Sequence, residues 1–358
     1  MARLFGRDYT RAELMRKVGA TSQLGGVRLA ELSEGRAKGV SVVDFNLGNG
    51  FQFTVVPDRA LDVYAASYQG MSLCWHSAAG MAAPTYYEPE GLGWLRTFAG
   101  GLIVTCGLSY VGAPTLDEGE ALGLHGRVAN LPASSVCATG QWEGDEYVMS
   151  VSGEVREALV FGAKLSLKRR IWARLGERRF FLEDTVRNEG YEVAPLQLLY
   201  HTNLGFPLLD DGSFLLTASE VKPRDAEAAK GLAECQSFSG PIHGYAEQVF
   251  YHDMRPGADG YVRAALVNPS LWHGQPMAYY LRYRKEQLPR FVEWKMMGEG
   301  DYVVGMEPSN CGVEGRNVDR ASGSLQFLQP GEEREFRLEV GILVGEEEYE
   351  QFRQALPQ

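Results

Sequence analysis

Hydrophobic and polar residues alternate with a period of two along most of the chain, and turn residues interrupt the alternation at short intervals. Segment 164–172 alternates, Leu175-Gly176-Glu177 supplies a turn, and segment 179–186 continues the pattern, which predicts a β-hairpin. Similar patterns predict hairpins over 40–56, 141–155 and 323–343. Strands are therefore expected from about residue 25 to about residue 344.

Helical patterns are few and lie mainly near the chain ends. Thr10-Arg11-Ala12-Glu13 has the form of a capping box that opens a predicted helix over about 10–19. Further short helices are predicted around 225–233 and over about 346–356. Strands without intervening helices favour antiparallel sheets, so the pattern predicts an all-β protein. A length of 358 residues fits two domains or one large β-sandwich.

Composition excludes several partners. The net charge is -11 and no cluster of basic residues stands out, which argues against nucleic acid as a ligand. Charged residues in the segment 1–8 are unlike a signal peptide, and no apolar run is long enough to span a bilayer. We therefore expect a cytoplasmic protein without a membrane partner. The five cysteines are widely spaced and predict neither disulfides nor a zinc knuckle.

Sequence motifs give no indication of a cofactor. The chain has no H-E-x-x-H pair, no P-loop, no dinucleotide-binding glycine motif that opens a helix, and no Gly-x-Ser-x-Gly elbow. These absences disfavour a metalloprotease, an NTPase, a dinucleotide enzyme and an esterase. We predict no cofactor and no metal, although six scattered histidines leave an irregular metal site open.

Three separate segments place proton-handling side chains in strand-like, glycine-edged settings. They contain His125, His201 and Glu307. Two histidines and a glutamate brought together could move protons to and from a neutral polar substrate. Each has a structural alternative: His125 at a strand end, His201 in the core with its polar atoms bonded to backbone, and Glu307 paired with Arg316 or Arg320.

Other candidates for contacts with a polar ligand lie near these segments or in a charged turn upstream. Arg59 and Asp62 could bind sugar hydroxyls or form an internal ion pair. Four tryptophans offer faces for stacking on a sugar ring, or belong to the core, namely Trp75, Trp94, Trp272 and Trp294. Trp294 is favoured because Glu293-Trp294-Lys295 shortly precedes Glu307.

Together these segments resemble the aldose 1-epimerase (galactose mutarotase-like) superfamily, and most closely its branch whose domain has no known function. The resemblance rests on the ordered run of segments 94–108, 124–127, 199–203 and 293–308. It implies one large antiparallel β-supersandwich over residues 1–358 with an open sugar-binding face.

The resemblance also implies residue roles. Glu307 would be the general base, His201 the general acid, and His125 a sugar-binding residue. The reaction would open and reclose the ring of an aldose at its anomeric carbon without a cofactor. Arg127, Arg59, Asp62, Asn203, Trp294 and Lys295 complete the predicted substrate contacts.

The sequence departs from galactose mutarotases in ways that leave the sugar open. Tyr200 precedes His201 where those enzymes usually have asparagine, and their arginine-asparagine segment has no clean match. We therefore expect a monosaccharide or sugar derivative as partner. Whether the protein forms a homodimer is left open by the sequence. A non-catalytic carbohydrate-binding protein and another carbohydrate isomerase or lyase are the alternative functions.

Overall fold

A computed structural model describes residues 1–357 and contains, within them, twenty-four β-strands and four α-helices. The strands are β1 (Ala2–Leu4), β2 (Arg7–Tyr9), β3 (Gly26–Glu31), β4 (Ser41–Asn46), β5 (Phe51–Val56), β6 (Asp62–Tyr68), β7 (Met71–Ser72), β8 (Ile103–Leu108), β9 (Thr115–Asp117), β10 (Glu120–Leu122), β11 (Ser134–Glu143), β12 (Glu146–Ala158), β13 (Lys164–Arg174), β14 (Arg179–Asn188), β15 (Ala194–Leu204), β16 (Phe214–Thr217), β17 (Ser219–Pro223), β18 (Gln248–Met254), β19 (Tyr261–Trp272), β20 (Gln275–Arg284), β21 (Arg290–Met297), β22 (Tyr302–Ser309), β23 (Gln326–Leu328) and β24 (Glu333–Val344).

Two large antiparallel sheets form the body of the molecule. The larger has twelve strands, ordered β17-β18-β21-β22-β15-β8-β6-β5-β4-β3, with β23 added at β15 and β7 at β6. The smaller has eight strands, ordered β11-β12-β13-β14-β24-β20-β19-β16. The pairs β1-β2 and β9-β10 form separate two-stranded sheets. The predicted all-β, antiparallel supersandwich is confirmed.

The main hydrophobic core lies between the two large sheets. Phe45 and Phe53 of the larger sheet stack with ring centroids 4.4 Å apart, and Phe53 reaches Phe180 of the smaller sheet at 4.6 Å. The alternation that predicted the strands explains this packing. Leu167 and Ile171 of β13 are both buried. They are four residues apart, so the period of two along a strand places both side chains on the face toward the core.

The opposite face of the larger sheet supports a second, smaller hydrophobic cluster. Along β15, Leu198 and Tyr200 belong to the main core, while Leu199 belongs to the second cluster together with Trp94 and Phe98. His201 lies two residues beyond Leu199 and therefore points to the same side. This outer face, covered by loops, is where the candidate site lies.

The helices are short. They are α1 (Arg11–Met15), α2 (Ala226–Lys230), α3 (Arg316–Ala321) and α4 (Glu346–Gln354). The predicted capping box is present at α1, where Thr10 and Glu13 bond each other's backbone N–H groups, but the helix ends four residues before Gly19. The short α3 lacks an obvious pattern and was not predicted. None of the helices within residues 1–357 is both long and apolar enough to cross a membrane.

Three of the four predicted hairpins are confirmed. The pairs β4-β5, β11-β12 and β13-β14 match the alternation over 40–56, 141–155 and 164–186. The hairpin predicted over 323–343 is wrong. The strand β23 pairs with β15, whereas β24 lies between β14 and β20 in the smaller sheet. Alternation identifies a strand, but the partner depends on contacts distant in sequence.

Candidate functional site

A pocket of about 740 Å³ opens on the outer face of the larger sheet. Strands β15, β18, β21 and β22 form its floor, and the loops that follow β7 and β10 supply its walls. Four of the residues predicted for the site line this pocket together: His125, His201, Trp294 and Glu307. The fold therefore brings residues from distant segments to one cavity.

His201 and Glu307 face each other across two neighbouring strands. The register of β15 and β22 pairs Thr202 with Met306 and Leu199 with Ser309, which puts His201 opposite Glu307. Their side chains approach to 3.2 Å between Nε2 and Oε1, with 6% and 3% of the side chains exposed. Antiparallel pairing thus fixes the geometry of the pair without a loop.

Gly305 makes room for the Glu307 carboxylate. It lies two residues earlier on the same face of β22 and pairs with Trp294 of β21. A Cβ atom at this position would collide with Glu307 Oε1 and lie 2.9 Å from Trp294 Cβ. The absence of a side chain at residue 305 is therefore a local requirement for the carboxylate position.

His125 reaches the pocket from a tightly turned loop. Its backbone is left-handed, with φ of 56°, and so is that of Gly126 at 83°. The His125 N–H donates to Gly112 O at 2.9 Å, and its carbonyl accepts from Gly107 N at 3.1 Å. These bonds hold an uncommon conformation for a residue with a side chain. The imidazole is then fixed 5.8 Å from that of His201, ring centroid to centroid.

Aromatic side chains surround the proton-handling groups. Trp294 and Phe98 lie 5.4 Å and 5.3 Å from the His201 ring, and Trp94 lies 5.0 Å from the His125 ring, all between centroids. Trp75 contacts Trp294 edge-on at 6.1 Å. Trp94 and Trp75 thus line the pocket beside the favoured Trp294, whereas Trp272 packs on Tyr68 elsewhere.

Burial disfavours charge on all three groups. It raises the pKa of Glu307 well above its usual range, and it lowers the pKa of His201 to about 3 and that of His125 to about 4. Desolvation is the largest influence on the pKa of both His201 and Glu307. The pair favours neutral His201 beside protonated Glu307, and it carries one proton in either arrangement.

Several polar atoms of the site have no hydrogen-bond partner. They are Glu307 Oε1, whose 3.2 Å contact with His201 Nε2 lacks the geometry of a hydrogen bond, the Nδ1 atoms of His125 and His201, and the Nε1 atoms of Trp75 and Trp94. Buried polar side chains are normally bonded, so this concentration of unpaired atoms is typical of a site for a polar ligand. The ion pairs that offered a structural explanation for Glu307 do not form. Arg316 and Arg320 instead bind Asp117, at 2.5 Å and 2.8 Å.

Arg59 does not contact the pocket, contrary to the prediction. Its guanidinium is buried and donates to the carbonyls of Ala129 at 2.5 Å, Ala82 at 3.0 Å and Thr97 at 3.1 Å. Ala82 and Thr97 lie in the long connection between β7 and β8, and Ala129 lies in the loop that follows β10. A buried arginine whose three nitrogens each donate to a backbone carbonyl stabilises the loops, and it is not among the residues that line the pocket.

Asp62 is also misassigned as a sugar contact, because it belongs to an ionic network between the sheets. It accepts from Thr105 Oγ1 at 2.6 Å and from Arg169 at 2.9 Å. Arg169 has no exposed side-chain surface and binds Asp184 through two parallel bonds of 2.8 Å and 2.6 Å. Tyr200 donates to the same Asp184 at 2.7 Å. The internal ion pair left open for Arg59 and Asp62 does not form, because Asp62 pairs with Arg169 and Arg59 donates to backbone carbonyls.

The remaining three predicted contacts also lie outside the pocket. Lys295 points away from Trp294 because neighbours on a strand face opposite sides, and its Nζ donates to Glu234 O and Ser237 O at 2.7 Å and 2.8 Å. Asn203 donates to the carbonyls of Gly101 and His201 at 2.9 Å and 3.0 Å. Arg127 lines a separate cavity.

The charged residues at the mouth of the pocket were not predicted from the sequence. Arg224 donates to Glu247 at 3.2 Å, and Glu247 accepts from Trp294 Nε1 at 2.9 Å. Asp301 lies on the same rim and is exposed. Isolated charges in polar loops look like ordinary surface residues, so only the fold identifies them. Phe98 was likewise missed, since nothing local separates it from a core aromatic residue.

A catalytic thiol and a metal centre have little support at this pocket. Cys106 and Cys311 are buried in the hydrophobic cluster behind the pocket, and burial raises the pKa of both thiols well above the usual range. Such thiols are unreactive packing residues. Within residues 1–357, no group of three or more His, Cys, Asp or Glu side chains is arranged to hold a metal ion.

The supersandwich and a pocket on its larger sheet define a galactose mutarotase-like protein. The chain belongs to the DUF4432 family, a domain of unknown function, which it matches over residues 37–342. A comparison with curated proteins gives no match.

Solved structures share the fold. A candidate aldose 1-epimerase from Klebsiella pneumoniae is 25% identical and superposes with a TM-score of 0.87 over 93% of this chain and 89% of its own. A galactose mutarotase-like protein from Clostridium acetobutylicum is 14% identical, with a TM-score of 0.62 over 90% and 99%. Galactose 1-epimerase from Lactobacillus acidophilus is 11% identical, with a TM-score of 0.56 over 90% and 100%. The last two show the fold alone.

Proposed function

We propose that the protein is an isomerase that interconverts the anomers of a free reducing sugar. The observation that carries this proposal is the His201–Glu307 pair, 3.2 Å apart and almost fully buried at the floor of the pocket. Anomer interconversion needs one group to accept the proton of the anomeric hydroxyl and another to donate a proton to the ring oxygen. An adjacent carboxyl and imidazole that share one proton meet this need.

The proposed cycle begins with a sugar whose anomeric carbon lies over the pair. Glu307 takes the proton of the anomeric hydroxyl while protonated His201 donates to the ring oxygen. The bond from that carbon to the ring oxygen breaks, and an aldehyde forms. Rotation about the adjacent carbon–carbon bond presents the other face, and the reverse proton transfers close the ring as the opposite anomer.

Burial shapes the reactivity of both groups. A carboxylate with a raised pKa is a stronger base, and an imidazolium with a lowered pKa is a stronger acid. The reactive arrangement differs from the resting one only by transfer of one proton from Glu307 to His201. Neutral His125 can donate from one ring nitrogen and accept at the other, so we assign it to holding a sugar hydroxyl.

A panel of free sugars tests this proposal. Anomer exchange of hexoses, pentoses, deoxysugars and acidic sugars is followed by exchange NMR or polarimetry with the spontaneous rate subtracted. We expect saturable acceleration for at least one sugar. Saturable binding without acceleration of any bound sugar would contradict catalysis and favour a carbohydrate-binding protein.

A further inference from the structure

The pocket is much more apolar than the proposed reaction requires. Fifteen of its twenty-two lining residues are apolar, including three tryptophans and Phe98. Its volume of about 740 Å³ lies in the range of sites for drug-sized ligands, which are larger than a single sugar ring. Much of this space has apolar walls and no role in proton transfer at an anomeric carbon.

Few polar groups are free to meet sugar hydroxyls. Beyond His125, His201 and Glu307, the charged or hydroxyl-bearing lining residues are Ser77, Arg224, Glu247 and Asp301, and the indole Nε1 atoms of Trp75 and Trp94 add two buried donors without a partner. The Ser77 hydroxyl donates to Phe98 O, and Arg224 and Glu247 are bonded to each other. An unsubstituted hexose that filled the cavity would leave several hydroxyls against apolar walls, where unpaired polar groups are costly.

Exposed leucines extend the apolar wall at the mouth. Leu92 and Leu95 flank Trp94 at the 3-10 turn Gly93–Arg96, and they are 61% and 48% exposed. Both line the pocket, on whose rim Arg224 and Glu247 also lie. Large apolar side chains exposed beside a cavity are typical of a surface that a ligand covers.

We propose that the substrate is a reducing sugar with an apolar substituent, such as an aryl or alkyl group, at the end remote from its anomeric carbon. This inference rests on the proposed function. The anomeric centre lies at His201 and Glu307, and the substituent lies against Trp94, Leu92 and Leu95. The few polar groups then serve the sugar ring, and the apolar wall loses its contact with water.

Matched pairs of sugars test the substrate class. Glucose, galactose and mannose are each compared with their 6-O-benzyl ethers, with Kd measured by calorimetry and kcat/KM by exchange NMR. At least one ether should bind about tenfold or more tightly than its parent, because a benzyl group buries a large apolar area. The gain in kcat/KM should come mainly from KM.

Variants at the mouth localise the effect. The double substitution Leu92→Ser and Leu95→Ser should bring the ratio of Kd values for ether and parent close to one. A control pair, Leu29→Ser and Leu116→Ser, changes leucines that are more exposed, at 64% and 66% against 61% and 48% for Leu92 and Leu95, but lie outside the pocket. That control should keep the preference for the ether.

The two proposals fail separately. The proposed substrate class would be overturned if every ether and its parent had equal Kd values. It would also be overturned if the preference for the ether survived the double substitution at Leu92 and Leu95. Either result would stand even if a sugar is turned over. Tighter binding of an ether that depends on Leu92 and Leu95 supports the substrate class whether or not turnover follows. If neither a bound ether nor any other bound sugar were turned over, that result would instead contradict the proposal that the protein is an isomerase.

Discussion

Burial determines the protonation of His201 and Glu307. The two side chains lie on a sheet face under loops, so each loses hydration that would stabilise its charge. The charge of Arg224 opposes this effect at Glu307 but does not reverse its direction. The active form therefore contains one proton for the pair, and it should exist over a pH range that differs from that of free histidine and glutamate.

This range gives a testable pH profile. The pair gains a second proton only as pH falls through the lowered pKa of His201, about 3, and loses its one proton only as pH rises through the raised pKa of Glu307. We expect kcat/KM to be retained below pH 4.5 and to fall with a midpoint between about pH 3 and about pH 4. Rates measured from about pH 3 to about pH 8 give the profile, with circular dichroism to establish folding.

A control separates the two histidines. His125 has a pKa of about 4 and could contribute to the acid limb, so the profile is repeated with His125→Asn. The limb should persist if His201 causes it. An acid limb at or above the usual glutamate value, about 4.3, would contradict a neutral, burial-controlled pair.

Adjacent strands give the site its precision. His201 and Glu307 project from neighbouring strands in register, and Gly305 leaves space for the carboxylate. His125 depends instead on a loop whose backbone bonds reach Gly107 and Gly112. A change that displaces His201 or Glu307 on these strands should therefore lower the rate of the reaction more than it weakens binding of the sugar.

Gly305→Ala tests this positioning. The new Cβ would displace the Glu307 carboxylate, and a shift of about 1 Å at a catalytic group can cost roughly a hundredfold in rate. We expect kcat to fall about tenfold or more, with KM changed by less than about threefold. Steady-state kinetics by polarimetry measures both. Gly240→Ala is the control because its Cβ would meet nothing within 4 Å. An unchanged kcat in Gly305→Ala would refute the role of this glycine.

Alternation in the sequence was enough to predict most of the strands and the all-β class. It could not assign a partner to β23, since strand order depends on contacts across the whole chain. Reasoning from the segments and from their resemblance to mutarotases selected His125, His201, Trp294 and Glu307, which share the pocket. It did not separate them from Arg59 and Asp62, because a buried structural ion looks like a site residue in sequence.

At the scale of the molecule, an ionic network joins the two sheets below the site. Arg169 of the smaller sheet binds Asp62 of the larger sheet and Asp184 of its own, and Tyr200 donates to Asp184 from the strand that carries His201. These groups are buried, so removal of the arginine would leave two carboxylates without their counter-charge. The network ties the floor of the pocket to the second sheet.

Neighbouring arginines give a matched stability test. Arg169→Ala should lower the free energy of unfolding by about 3–5 kcal/mol, because it leaves buried charges unpaired. Arg170 points to solvent, where it lies 3.6 Å from Glu183 with 45% of its side chain exposed, so Arg170→Ala should cost less than about 1 kcal/mol. Urea denaturation followed by fluorescence measures both. Equal effects would show that the network does not stabilise the packing of the sheets.

In the proposed reaction, Glu307 is the group that accepts the proton of the anomeric hydroxyl. The most direct measurement is the rate of anomer exchange, by exchange NMR, for wild-type protein and Glu307→Gln with a sugar that the wild type turns over. We predict a loss of about 10²–10⁴ in kcat with Kd changed by less than about threefold, because the amide fills the same space but cannot accept the proton. Exchange at the wild-type rate in Glu307→Gln would contradict the proposed acid-base pair.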